Sequence, residues 1–301
     1  MNYRTADDTA QQLAVQHLRS LGESPPPKIA TIPVSGFRSW NEESTREDGG
    51  APAGFDDIAA TYMIRQGMPV RRLNEILRDE IPAATWMVRM FTPETKVEYF
   101  VEVDARDARV VGYHKYAEET AAGERLERED AALLARRAFR RYGVDPNAFE
   151  LRDAFSFQQP NRRDWLFHFE KREPLVADAI HRVSVRVMGT DVTQFVNTIR
   201  IPESVYREAT QQTLVSIVLL VLKLGGIVIG LALVVAGAIL TTRHGGVAWR
   251  RAGRLTAVLA VIPIATTAVH TDRFLFGYDT TTAWETYTVN VVTNIVRTAG
   301  V

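Results

Sequence analysis

The chain has 301 residues with 36 basic and 36 acidic side chains, and no cysteine. The lack of thiols excludes disulfides, thiolate nucleophiles and Cys-based zinc sites. Charge is unevenly spread: residues 213–301 hold seven of the Lys/Arg and three of the acids, leaving the preceding region about four charges acidic, against a nucleic-acid-binding face.

Residues 1–24 hold several charges and no apolar core of signal-peptide length. Leu13, Ala14, Leu18 and Leu21 recur at helical spacing and end at Gly22, which predicts an amphipathic helix with a glycine cap. Residues 38–54, rich in Glu, Ser, Gly and Arg, predict a mobile loop, and Asp56–Asp79 predicts one or two helices. Three alternating strands are expected next: Trp86–Phe91, Glu98–Asp104 and, after the turn Ala105–Ala108, Arg109–Tyr116.

The pattern then returns. Leu134, Ala135, Phe139, Tyr142 and Gly143 match Leu13, Ala14, Leu18, Leu21 and Gly22 at an offset of 121. A second Trp-led strand starts at Trp165, and Arg182–Val187, the turn Gly189–Asp191 and Thr193–Ile201 follow in the same order. The expectation is two units of helix–strand–strand–strand: residues 1–125 with an insert at 38–80, and residues 126–210.

Residues 211–301 predict a membrane region. Leu224–Thr242 is uncharged and mostly aliphatic, with Lys223 at its edge, which predicts a span over about 217–242. Leu255–Thr271, with Pro263 inside, predicts a second over about 252–271, and 283–301 the start of a third. Gly226 and Gly230 have a spacing that suits close helix contact or arises by coincidence. The connector Arg243–Arg254 has four arginines and no acid, which points it to the cytoplasm and the N-terminal region to the far side of the membrane. An N-terminal region of that size does not readily cross without an upstream signal, so an N-terminal anchor missing from this chain is expected, with inverted orientation as the alternative.

Motifs that would carry chemistry are lacking: no zinc pair, nucleophile elbow, phosphate loop or dinucleotide glycine pattern. His17, His114, His168, His181, His244 and His270 show no ligand spacing, and His168 reads as a packed or surface strand residue. Trp86 and Trp165 read as core residues rather than groove linings. Arg136, Arg137, Arg140 and Arg141 read as a solvated face near Glu127, Glu129 and Asp130. Candidate catalytic, cofactor-binding and metal-binding residues are therefore none.

The run Trp86–Asp104, Arg109-Val-Val-Gly-Tyr, Glu118–Asp130, Asp164–Glu170, Ile201-Pro-Glu-Ser and Tyr278-Asp-Thr-Thr-Thr-Ala-Trp together resemble the N-terminal, non-catalytic half of CPBP (CAAX protease and bacteriocin-processing) family intramembrane proteases of acidobacterial type, with a tandem PepSY-like domain. The resemblance implies an α+β fold of two helix-plus-antiparallel-sheet repeats followed by a transmembrane hairpin. It also implies a bacterial inner-membrane location with the tandem domain extracytoplasmic. Its expected role is sensory or substrate-recruiting, with the lipid bilayer and a peptide or membrane-protein substrate as partners and no nucleic acid. A full-length relative would be a metallo- or glutamic endopeptidase, with zinc or another divalent metal in a domain outside this chain. The family's E-E-x-x-x-R motif is not matched: Glu42-Glu43-Ser44-Thr45-Arg46 has one residue too few. This chain alone is therefore expected to be non-catalytic. The alternative is a complete non-catalytic membrane-anchored protein that binds a peptide or partner, as a protease inhibitor or scaffold.

Overall fold

The computed structural model describes residues 5–35, 37–38, 55–210 and 271–299, with isolated positions at 222, 223, 225, 226 and 239. One compact unit comprises Met1–Tyr206 and Asp272–Tyr287; a second comprises Arg207–Thr271 and Thr288–Val301.

The first unit is built on one eight-stranded antiparallel sheet. Helix α1 (Asp7–Ser20) precedes β1 (Lys28–Ser35), and the short pair β2 (Phe37–Arg38) and β3 (Phe55–Asp56) flanks the 39–54 segment. Helices α2 (Ile58–Arg65) and α3 (Val70–Glu75), with a π-helical turn Ile76–Glu80, lead into β4 (Ala84–Phe91), β5 (Glu98–Asp104) and β6 (Val110–Tyr116). Helix α4 (Arg128–Arg141) precedes β7 (Phe149–Gln158), β8 (Arg163–Lys171), β9 (Ile180–Met188) and β10 (Asp191–Arg200). Helices α5 (Glu203–Thr210), α6 (Thr271–Phe276) and α7 (Trp284–Ala299) complete the described elements.

Strand order is β1-β4-β5-β6-β10-β9-β8-β7. Each half is therefore a helix and a four-stranded meander, and the halves join through their last strands. In contrast to the expected units of one helix and three strands, each half has four strands, and both halves share one sheet instead of forming two. A row of paired residues crosses it: Thr31, Val88, Val101, Tyr113, Phe195, Val185, Phe167 and Ala154. Tyr113 and Phe195 occupy equivalent places in the two halves and pair with each other, so a pseudo-two-fold axis runs between them.

The offset of 121 persists in three dimensions. α1 buries Ala10, Ala14, His17 and Leu18; α4 buries Ala131, Ala135, Ala138 and Phe139. Gly22 (φ 80°) and Gly143 (φ 71°) both take the left-handed conformation that ends a helix. The amides after them return to Leu18 O and Phe139 O, each at 3.0 Å. Trp86 Nε1 donates to Thr5 O at 2.9 Å and Trp165 Nε1 to Leu126 O at 3.0 Å, acceptors again 121 residues apart. Both helices lie on one sheet face, α1 against β1, β4, β5 and β6, and α4 against β8, β9 and β10. Between them and the sheet lies one continuous core that includes Leu18, Val88, Val101, Phe139, Phe167 and Phe195.

A smaller core joins α2, α3 and the π-helical turn to Ala179, Ile199 and Ile201, in keeping with the helices predicted for this insert. The expected mobile loop at 38–54 lies outside the described residues apart from Arg38.

The predicted membrane hairpin is not found. Among the described residues no helix is long and apolar enough to cross a membrane. The spans placed at 217–242 and 252–271 fall outside the described residues except at a few positions. Within 283–301, the expected start of a third span, the described helix is α7, only 16 residues long and carrying Glu285 and Arg297. At about 1.5 Å per residue it is shorter than the hydrocarbon core of a bilayer.

Candidate functional site

The helix-covered face of the sheet carries a groove between α1 and α4. Neither helix packs fully on the other, because each is centred over its own meander, and the floor is left to the strands at the seam. A cavity of about 310 Å³ is lined by the end of α1 (Ser20, Leu21), the middle of α4 (Leu134, Arg137, Ala138) and the start of β10. A second, of about 520 Å³, is lined by the middle of α1 (Leu13, Gln16, His17), the end of α4 (Arg140, Arg141, Tyr142) and the start of β6. A shift of 121 residues carries the helix residues Leu13, Gln16, His17 and Ser20 of the second cavity onto Leu134, Arg137, Ala138 and Arg141 of the first, so the two cavities are mates about the pseudo-two-fold axis. This pairing of one helix's end with the other's middle is that of antiparallel helices.

The mates differ in chemistry. Ala138 and Leu21 stand in the first cavity where His17 and Tyr142 stand in the second. His17 Nε2 and the Tyr142 hydroxyl are in hydrogen-bond contact at 3.2 Å, and the His17 ring meets Tyr113 edge-on, with centroids 5.4 Å apart. Tyr142 stacks on Phe195 at 4.3 Å. Burial, and then the Arg141 guanidinium, lower the His17 imidazole to about 4, so it is neutral at pH 7. Burial raises the Tyr113 and Tyr142 hydroxyls well above the ordinary phenol range. These rings form a neutral floor.

The rim is cationic. Arg137, Arg140 and Arg141 are exposed and form no ion pair with a described residue. They form the exposed face expected of this run, but Glu127, Glu129 and Asp130 sit at the opposite end of α4, and Glu127 pairs with Arg163 at 2.9 Å. Arg136 parts from its neighbours: it donates to Pro146 O at 3.3 Å and lies over the Phe169 ring. Arg109 on the rim reaches Asp104 at 3.7 Å, and Lys115 pairs with Glu23. Asp191 completes the first cavity, so the second is lined by three arginines and no acid. In sequence only the arginine run was visible; the groove depends on the β6–β10 pairing, for which no local signal exists.

The opposite face of the sheet is polar and buried. Glu170 Oε1 accepts from Arg182 Nε at 3.0 Å and from Arg200 Nε at 2.7 Å. Burial pushes this carboxyl up, but the two guanidinium groups outweigh it and hold it below its usual range. His168, which the sequence leaves as either a packed or a surface strand residue, is 1% exposed, with Nδ1 2.8 Å from Ser184 Oγ. Burial and then Arg182 lower its imidazole to about 3. Over β4 and β5, Arg89 binds Glu98 at 2.6 Å and donates to Phe276 O at 2.6 Å, anchoring the 272–287 segment. Tyr278, noted in the sequence run ending at Trp284, is buried there against Phe91. Trp86 and Trp165 pack against the core, as expected.

Among the described residues no group of three or more His, Asp or Glu could hold a metal ion. The Glu42–Arg46 segment, His244 and His270 lie outside the described residues. No family model, no curated protein and no solved structure matches the chain.

Proposed function

We propose that the first unit is a non-catalytic binding module that holds a peptide segment of a partner protein in the groove between α1 and α4. The observation that carries this reading is the mated pair of open cavities across the seam, with a neutral aromatic and aliphatic floor and an exposed polar rim. Cavities of several hundred cubic ångströms are of ligand-site size, and these mix apolar side chains with charged and hydroxyl groups. The buried histidines His17, His168 and His181 sit in separate contacts, and where His17 meets Tyr113 and Tyr142 in the groove, burial holds these three rings neutral. The proposal keeps the recruiting role expected of the tandem repeat and includes no protease chemistry.

Photo-cross-linking from the full chain tests it. A benzophenone side chain is introduced at Gln16, which lines the groove, and as a control at Leu133, which is exposed on α4 outside it. Peptides selected on the native protein from a random display library are then irradiated with each variant. Cross-linking at position 16 and not at 133 is expected; equal yields at both, or none at 16, would reject the groove as the binding site.

A further inference from the structure

We infer that the groove selects acidic peptide segments, ones in which a short apolar stretch is flanked by Glu or Asp. This inference rests on the groove being the binding site.

The argument begins with the rim. Arg109, Arg140 and Arg141 surround the larger cavity and no acid lines it. Arg137, Arg141 and Lys115 line the smaller one, where Glu23 is engaged by Lys115 and Asp191 remains. Arg137, Arg140 and Arg141 project from successive turns of one helix without ion pairs to described residues, so their guanidinium donors are available to a ligand. Arginine binds carboxylate through parallel N–H donors. The walls and floor together supply Leu13, Val110 and Tyr142 on one side of the axis and Leu21, Tyr113, Leu134 and Val192 on the other. An extended peptide could lay apolar side chains on this floor while its carboxylates met arginines at either end.

A nucleic acid fits less well. Asp7 and Asp8 begin α1 and Glu129 and Asp130 begin α4, so each helix carries acid at the end opposite the one in the groove. A continuous phosphate backbone running past the groove would meet them, whereas a short peptide would not. The chain up to residue 212 is also acidic on balance.

The test uses the full chain and three fluorescein-labelled probes: a peptide of repeated Glu-Glu-Leu, its Gln-Gln-Leu counterpart, and single-stranded oligothymidylate. Fluorescence anisotropy should show the acidic peptide binding at least about tenfold tighter than the other two, and more weakly as salt rises. R137E/R140E should weaken it by at least about tenfold, with R137Q/R140Q intermediate; all these side chains are exposed, and unchanged circular dichroism melts would confirm folding. Equal binding of the Gln peptide, preference for the oligonucleotide, or indifference to R137E/R140E would overturn the inference. The benzophenone at position 16 separates the two failures. Cross-linking to the Gln peptide alone leaves the groove reading standing and removes the acidic preference; cross-linking to neither peptide removes both.

Discussion

Phe139 shows how much one side chain holds. Its ring is fully buried and meets Phe149, Phe169 and Phe195 edge-on at 5.1–5.4 Å, touching three strands of the second meander. Phe139→Ala should cost about 3–5 kcal/mol in urea unfolding, by lost burial and the cavity left behind. The tryptophans offer a paired comparison: Trp86→Phe and Trp165→Phe each remove an indole donor from a helix-entry carbonyl. Each should lose about 1–2 kcal/mol, and by similar amounts, because the contacts are equivalent. The histidines set the response to acid. His17 and His181 are held at about 4 and His168 at about 3. The unfolded chain protonates these rings near pH 6.5 while the folded chain does not. Their contribution is therefore complete above pH 6.5 and is lost as pH falls towards 4, by about 1.4 kcal/mol per pH unit for each histidine. Stability measured between pH 7.5 and 5 should show this slope, and His168→Asn should flatten it by one histidine's share.

Among the elements, the 272–287 segment is tied to the first meander by Arg89, by ring contacts of Tyr278 with Phe91 and Phe276 with Phe100, and by Trp284 N donating to Glu94. The Arg89 side chain joins Glu98 to the end of α6, lies over the Phe91 and Phe100 rings, and is 5% exposed. Arg89→Met leaves the half-buried Glu98 without its cation, which costs about 2–3 kcal/mol, less than for a fully buried pair. Hydrogen exchange should then rise in residues 274–287. Adding Glu98→Gln should restore much of the global stability but not that local protection, because the donor to Phe276 O is still missing. The helices and Trp-led strands were legible because each carries its period intact, 3.6 residues on α1 and α4 and two on β4 and β8. Two strands escaped notice for physical reasons. Pro33 interrupts β1, which tolerates it as an edge strand. At the other edge β7 buries only Phe149 and has a register shift between Leu151 and Asp153, so its alternation breaks partway. Long apolar runs after residue 211 led to the expectation of a hairpin, but hydropathy alone does not fix where a chain goes.

At the scale of the molecule, the two halves share a core although their strands meet over a short seam, with only Tyr113–Phe195 and His114–Gln194 in register. The unit should therefore unfold in one cooperative transition, with calorimetric and van't Hoff enthalpies equal for it; a separate early transition for either half would contradict this. The candidate groove was illegible in the sequence because it belongs to neither half. Its walls come from helices 121 residues apart, and only the pairing of β6 with β10 sets their separation.

That pairing has a consequence for how the chain can be divided. The link from β6 to α4 runs through the exposed residues 122–125, and Arg162 grips it by donating to Glu118 O and Ala121 O at 2.8 and 2.7 Å. No strand or helix crosses the link, and the surface that joins the halves is made of side chains and ladder bonds rather than of this stretch of backbone. Cutting the polypeptide after Ala122 and expressing the pieces as separate chains should yield two partners that assemble on mixing, one contributing β6 and the other β10. Such a split protein would regain its circular dichroism spectrum only when both pieces are present, turning an internal seam into a reporter of association.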